Sequence, residues 1–170
     1  MSFKQLLKEI ESSKEYKQFN KQYPDSFLSS AFFIVNKNFE IEMRQVDFFI
    51  TSENKIMSFI LDQTDCLQQK LGELYNKDAK ITKKENEIDP KEVSIEFKEL
   101  QKSIKEKIKY LDDLNKVIVV LHKKDKKTIW SLTCMLTSLK ITSLSIDAKS
   151  GKLLEEKSAN ISDYIKVDKG

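Results

Sequence analysis

TIWSLTCMLTSLKITSLSIDAKSGKLLEEK, residues 128 to 157, is the longest strand-like run in the chain. Its apolar residues alternate with polar ones at period two, the spacing that places i and i+2 on one face of a sheet. Leu139 and Ile141 keep this rhythm, then the phase slips before Leu144 and Ile146. Near the other end of the chain, Ile41, Met43, Val46 and Phe48 repeat the same spacing. A three-residue step moves the apolar set to the opposite face unless an extra residue is accommodated, so both stretches predict a β-bulge. Each then enters a polar turn, Thr51-Ser52-Glu53-Asn54 or Lys149-Ser150-Gly151, and leaves it through Lys-Ile-Met or Lys-Leu-Leu. The shared pattern predicts an internal repeat at a separation of roughly a hundred residues.

Working outward, Trp130, Leu132, Cys134 and Leu136 share one strand face, and Lys116 to Leu121, KVIVVL, reads as a short buried strand joined to them through a lysine-rich turn. Before it, Asp89-Pro90-Lys91-Glu92 has the form of a helix start, with a capping Asp, Pro at the first position and Glu three residues after the cap. Val93, Phe97, Leu100, Ile104, Ile108 and Leu111 continue at steps of three and four, which predicts a helix of about 25 residues reaching Leu114, roughly 37 Å long. In the first half, Ser2 to Asn20 reads as one bent helix or two short ones, with Phe3, Leu6, Leu7 and Ile10 on one face and a capping-box pattern at Ser12 and Glu15. Helix ends at Tyr23-Pro24. FLSSAFFIV, residues 27 to 35, reads as a central strand, Asn36-Lys37-Asn38 as a hairpin turn, and Glu40 to Ile50 and Lys55 to Leu61 as the rest of a three-stranded meander.

The expected fold is therefore α+β: an antiparallel sheet of two helix-plus-meander repeats, with helices packed on one face. Residues 1–61 form the first repeat, 62–89 a charged connector in which Leu67, Leu71 and Leu74 allow a short helix, 90–157 the long helix and second meander, and 158–170 a tail with Ile161, Tyr164 and Ile165 at helical spacing.

The hairpin carries a family likeness. Trp130 followed by Ile146, Asp147, Ala148, Ser150, Gly151 and Leu153 resembles the tryptophan strand and I-D-A-x-T/S-G-x-(I/V/L) hairpin of PepSY domains. The likeness covers some thirty residues. The first half has the helix and strands but Phe49, Ile50, Ser52 and Glu53 where the Asp-Ala-x-Ser-Gly signature would stand. PepSY modules are typically extracytoplasmic and are regarded as inhibitory or ligand-binding. The resemblance implies a helix held across a curved antiparallel sheet, as in cystatin-like folds. Asp147 and Gly151 would then build a turn, by an Asx-type bond and a positive φ.

Composition narrows the function. A chain of 170 residues, 39% hydrophobic and 34% charged, is long enough for a sizeable core. The formal charge of +3 is small and spread evenly, and Arg44 is the only arginine, which makes nucleic acid an unfavoured partner. Lys83-Lys84 and the lysines of residues 123–127 lack accompanying aromatics. The N-terminus has no apolar h-region, no run approaches a membrane span, and Cys66 and Cys134 have no spacing motif; the expected location is cytoplasmic.

Catalytic chemistry has few materials. The only histidine, His122, adjoins lysines that are expected to keep it solvated. A Cys-His pair would need Cys66 or Cys134 to reach it, and Cys134 reads as a core residue. One histidine and two separated cysteines make no zinc site, and three glycines build no phosphate loop. Ser52-Glu53-Asn54-Lys55 matches Ser-x-x-Lys only inside a predicted turn, and Asp112-Asp113 point to different sides of a helix. These readings predict no enzyme, cofactor or metal site. They predict an intracellular adaptor or inhibitor that engages a protein or peptide partner by a sheet edge or helix-sheet groove. The alternative is a carrier or sensor of a small apolar ligand held between helix and curved sheet, its pocket lined from the ten phenylalanines. An exposed edge would also permit a homodimer.

Overall fold

The computed structural model describes residues 2–64, 66–73, 83–109 and 111–161. It is α+β, built on an eight-stranded sheet whose neighbouring strands all pair antiparallel. Strands β1 (Phe27–Asn36), β2 (Ile41–Ile50), β3 (Lys55–Leu61) and β4 (Leu67–Glu73) form one meander, and β5 (Leu114–Lys124), β6 (Lys127–Leu136), β7 (Lys140–Asp147) and β8 (Leu153–Asn160) another. The order β4-β3-β2-β1-β5-β6-β7-β8 joins them through β1 and β5, with Ala31 opposite Leu121 and Val35 opposite Val117.

Before β1 stand α1 (Phe3–Ser12) and α2 (Lys14–Gln22). They are separate helices because Ser13 takes an extended backbone and its hydroxyl accepts from the Tyr16 N–H, capping α2. The expected cap at Ser12 is displaced by one residue; the Ser12 hydroxyl instead donates to the Lys8 carbonyl. Phe3, Leu6, Leu7 and Ile10 are buried on one face of α1. In the aromatic cluster beneath α2, Phe19 lies edge-on to Phe59 at 5.4 Å, and Tyr16 sits 5.0 Å from Phe48. Ring contacts of this kind add about 0.5–1.5 kcal/mol to the burial itself.

Between the meanders lie the one-turn α3 (Lys83–Asn86) and α4 (Phe97–Lys107). The 25-residue helix expected from Asp89 is thus 11 residues long. Asp89 does cap a turn, but only the short 3-10 turn Pro90–Glu92. Residues 93 to 96 are extended because their backbone is engaged elsewhere: Ser94 and Ile95 both donate to the Ala148 carbonyl at 2.9 Å, and Ile95 accepts from Trp130. Glu96 then starts α4 in a reciprocal capping box with Glu99, and it also accepts from the Phe3 N–H at 2.8 Å. Leu100 and Ile104 are fully buried, each contributing about 1.5–3 kcal/mol. A second 3-10 turn, Leu111–Asp113, precedes β5.

The segment from Glu87 to Ile95 forms a strap across one end of the sheet. Ile88 donates to Leu28 on β1, Lys123 on β5 reaches the Glu87 carbonyl, Glu92 accepts from Thr128 on β6, and Ser94 and Ile95 meet Ala148 after β7.

Three further expectations are corrected. The connector contains a strand, β4, where a short helix over Leu67 and Leu71 is expected, because the edge of β3 supplies a pairing partner from Lys55↔Glu73 to Leu61↔Leu67; Leu74 lies outside the described residues. The first meander has four strands for this reason. The tail begins later, since Ser158 to Asn160 belong to β8; Tyr164 and Ile165 lie outside the described residues. The phase slip within β7 marks no bulge against β6, with which β7 pairs without interruption; the register shift of this stretch falls later, between Ser145 and Ile146, where β8 carries the extra residue Leu154. Leu139 is a turn residue at φ 61° and Ile141 lies on the face opposite Thr142, Leu144 and Ile146. In β2 the register shift falls between Ile41 and Met43, earlier than the slip before Val46.

The core joins Leu6, Ile10, Phe19, Leu100 and Ile104 from the helices with Ala31, Phe33, Val46, Phe48, Val117, Val119, Leu132 and Leu144 from the strands.

Candidate functional site

Strand alternation places a second set of residues on the face away from Ala31, Phe33 and Val35. Register carries this face from Phe32 and Ile34 on β1 to Gln45 and Met43 on β2, and to Val120 and Ile118 on β5. It continues to Thr133 and Met135 on β6. These residues are only partly buried, so the middle of the face is an apolar band in contact with solvent.

A polar seam crosses this face beside the band. Asp47 on β2 accepts from Ser30 on β1 at 2.7 Å, from Ser58 on β3 at 2.6 Å and from the Gln45 amide at 2.7 Å. Ser30 stands opposite His122 on β5, whose Nε2 is 2.8 Å from the Ser131 hydroxyl on β6. Asp47 is 9% exposed, and its hydrogen bonds are what make a carboxylate tolerable there. The site was foreshadowed in the sequence only by polar residues inside apolar strands, Asp47 between Val46 and Phe48 and Ser29-Ser30 within FLSSAFFIV.

His122 is not kept in solvent by its lysine neighbours, as expected. Strand β5 extends to Lys124, so His122 is a half-buried strand residue, and burial holds its pKa below the ordinary value. A hydrogen bond with the Lys123 backbone acts in the opposite sense, and the charge of Lys124 adds a further lowering. The turn itself is Asp125-Lys126, both at positive φ (50° and 65°), as a two-residue hairpin closed by Lys124↔Lys127 requires.

The lysine run is divided. Lys123 is turned inward to the Glu87 carbonyl (3.1 Å) and Glu92 (3.3 Å), whereas Lys124, Lys126 and Lys127 are exposed. Cys134 is buried with its thiol pushed up to about 12, and Cys66 is exposed immediately before β4. Ser52 binds Asp25 through its backbone N–H at 2.6 Å, within the turn that contains Ser52 to Lys55 in the sequence motif. Asp113 is occupied by the β6–β7 turn: Thr137 and Ser138 donate hydroxyl bonds to it, which hold its pKa below the usual carboxylate value. Asp147 accepts from Lys149 and Ser150 N–H groups and Gly151 sits at φ 75°, the turn that the sequence predicts.

Surface cavities are small. One of about 370 Å³ lies between the end of α4 and the β6–β8 sheet, with Lys107, Ile108, Lys140, Thr142 and Glu156 in its lining. Another of about 290 Å³ is bordered by Lys124, Ile129, Ser145 and Leu154. Among the described residues no group of three His, Cys, Asp or Glu side chains is placed to hold a metal ion, and no helix is long and apolar enough to cross a membrane.

No protein-family model matches this sequence, and no curated protein matches it. A solved structure is similar: a putative lipoprotein from Clostridium difficile 630, with a TM-score of 0.59 over 85% of this chain and 90% of that one. At 13% identity the likeness is one of fold.

Proposed function

We propose that this protein is a non-enzymatic binding module that holds a protein or peptide partner against the second face of its sheet. In this reading it consists of two helix-first, four-strand units, with α1, α2 and α4 on one face and the other left for a partner. The observation that carries it is the half-buried apolar band of Phe32, Ile34, Ile118, Val120 and Met135 beside the hydrogen-bonded seam of Ser30, Asp47 and Ser58. An apolar centre with fixed polar groups at its border is the composition of an interface that selects orientation as well as affinity. The resemblance of the β7–β8 hairpin to PepSY domains supports binding over catalysis. So do the partners of Asp47, which are Ser30, Gln45 and Ser58, an arrangement that does not orient His122 as a base.

The expected carrier of a small apolar ligand gives ground to this reading. A small apolar ligand between helix and sheet would need space that Leu100, Ile104, Val117 and Leu132, all at 0% exposure, occupy. The groove beside α4 is lined largely by polar and charged residues, which suits a peptide better than an apolar molecule.

The test is affinity purification from the source cells with native protein, with Ile118→Lys on the second face, and with Lys149→Glu at the β7–β8 turn. A partner retained at fixed stoichiometry by native protein and Lys149→Glu but lost with Ile118→Lys supports the reading. Equal retention by all three sinks it. Cysteine usage supports a cytoplasmic location and the likeness to a putative lipoprotein supports membrane attachment; fractionation of the same cells separates these outcomes.

A further inference from the structure

The two edges of the sheet are β4 and β8, and they are protected differently. Along β8 charge is dense: Lys157 pairs with Glu155 at 2.8 Å, and Lys107 of α4 reaches Glu156 at 3.0 Å. Charged side chains on an edge discourage the addition of another strand. Strand β4 reads Leu67-Gln68-Gln69-Lys70-Leu71-Gly72-Glu73, so that Lys70 alone carries charge between Leu67 and Gly72. Leu67, Gln69 and Leu71 share the face of Leu61, Phe59 and Met57, their partners on β3. Leu67 packs against the core, yet Leu71 is 47% exposed. Among the described residues no strand pairs with the outer side of β4.

We infer that β4 pairs antiparallel with β4 of a second copy, about a two-fold axis through Gln69, and so joins two eight-stranded sheets into one. Directly opposed residues of an antiparallel pair lie on the same face, so a two-fold pairing must oppose positions of equal parity. An axis at Gln69 sets Leu67 against Leu71 of the partner subunit, Gln68 against Lys70 of the partner subunit, and Cys66 against Gly72 of the partner subunit. Leu71 thereby gains an apolar neighbour and no like charges meet between 67 and 71. Moving the axis to Lys70 opposes the two lysines and sets Leu67 against Glu73 of the partner subunit; moving it to Gln68 sets Leu67 against Gln69 of the partner subunit. On β8, an axis at Glu155, Glu156 or Lys157 opposes like charges. The pairing does not rest on the second-face reading, since it uses only the sheet edge.

Sedimentation velocity over a range of concentration, combined with register-specific cross-linking, tests this. Opposed Cα atoms across an antiparallel pair lie about 4.5–5.5 Å apart, inside the disulfide range of about 4.4–6.8 Å. Gln69→Cys in a Cys66→Ser background therefore cross-links to itself under mild oxidation, whereas Lys70→Cys, about 7–8 Å or more from its copy on the diagonal, does not. Gly72→Cys cross-links to native Cys66; a Cβ at Gly72 meets only the Ile56 carbonyl, at 3.9 Å. Leu71→Lys weakens dimerisation about tenfold or more, and the cross-linking pair decides the matter if that variant is unfolded by circular dichroism. A chain that stays monomeric at every concentration overturns the inference, as does a dimer that cross-links at Lys70→Cys in preference to Gln69→Cys. A monomer whose β4 edge takes up an extended peptide overturns it too.

Discussion

The indole N–H of Trp130 donates to the carbonyl of Ile95 at 2.9 Å, a bond between residues 35 apart in sequence. It fixes the strap to β6 while the ring fills the core between Phe3, edge-on at 6.3 Å, and Phe33 at 6.0 Å. One side chain thus holds together the start of α1, the approach to α4 and both meanders.

Trp130→Ala should cost about 3–5 kcal/mol, the range for removing a buried aromatic. Trp130→Phe should cost less, because it keeps much of the packing and loses the bond to Ile95. Urea unfolding curves measure both. Equal losses would show that the hydrogen bond and the indole's extra volume, which Phe lacks, account for the whole effect and that the packing Phe keeps contributes little.

Gly151 and Gly72 should respond in opposite directions to alanine. At Gly151 the backbone is at φ 75° and an added Cβ would lie 3.0 Å from Ile95 Cδ1, so Gly151→Ala should destabilise by about 1 kcal/mol or more. Gly72 has room and no positive φ, so Gly72→Ala should be neutral or stabilise by up to about 1 kcal/mol through the unfolded chain. A Gly151→Ala protein of native stability would contradict the turn geometry.

Thiol labelling should divide the cysteines. Cys66 is exposed and should react in the native protein, whereas Cys134 is at 0% exposure with its thiol pushed up to about 12 by burial. Thiolate is the reactive form. Mass spectrometry should find one label under native conditions and two in denaturant; rapid native labelling of Cys134 would place β6 outside the core.

Acidification should weaken the fold in two windows. His122 is held below its ordinary pKa by burial, so protonation is easier in the unfolded chain. Stability should then fall as pH drops from about 6.5 to the folded value, and no further loss arises from this group below it. Glu92, Asp113 and Asp147 have lowered pKa values, caused first by the Thr128 hydroxyl, the Ser138 hydroxyl and the Ser150 N–H respectively. Their contribution is present above the unfolded carboxylate range, about 4, and is lost as pH falls through the folded values. His122→Gln should abolish only the upper window in urea midpoints measured against pH. An NMR titration placing His122 above 6.5 would reverse the sign of that window.

Much of this architecture was legible locally. Near-continuous apolar runs mark β1 and β5, and period-two alternation marks β6. The serine pair and Pro24 frame α2, with its cap one residue later than expected, and Asp147, Ser150 and Gly151 build their turn from neighbouring atoms. These features depend on side-chain periodicity and on hydrogen bonds that span a few residues, which any chain carries in its sequence. The helix expected after Asp89 shows where that reasoning stops: Val93 and Phe97 keep helical spacing, but Ala148 and Trp130 engage Ser94 and Ile95, and those bonds replace a helical turn. Strand β4 likewise exists through the edge of β3, since Leu67 and Leu71 are spaced for either structure. Both faces of β2 carry apolar residues, and in β7 Ile141 lies on the otherwise polar face of Ser143 and Ser145, so the phase of the pattern is ambiguous until each strand has neighbours. Ser58, Asp47, Ser30 and His122 come from four strands, and only the sheet order sets them in one row. The sequence by itself determined which segments extend or coil and which side chains are apolar; the tertiary structure decided where the helix begins, which edge is bare and what meets across the sheet, because those depend on bonds between residues far apart in the chain.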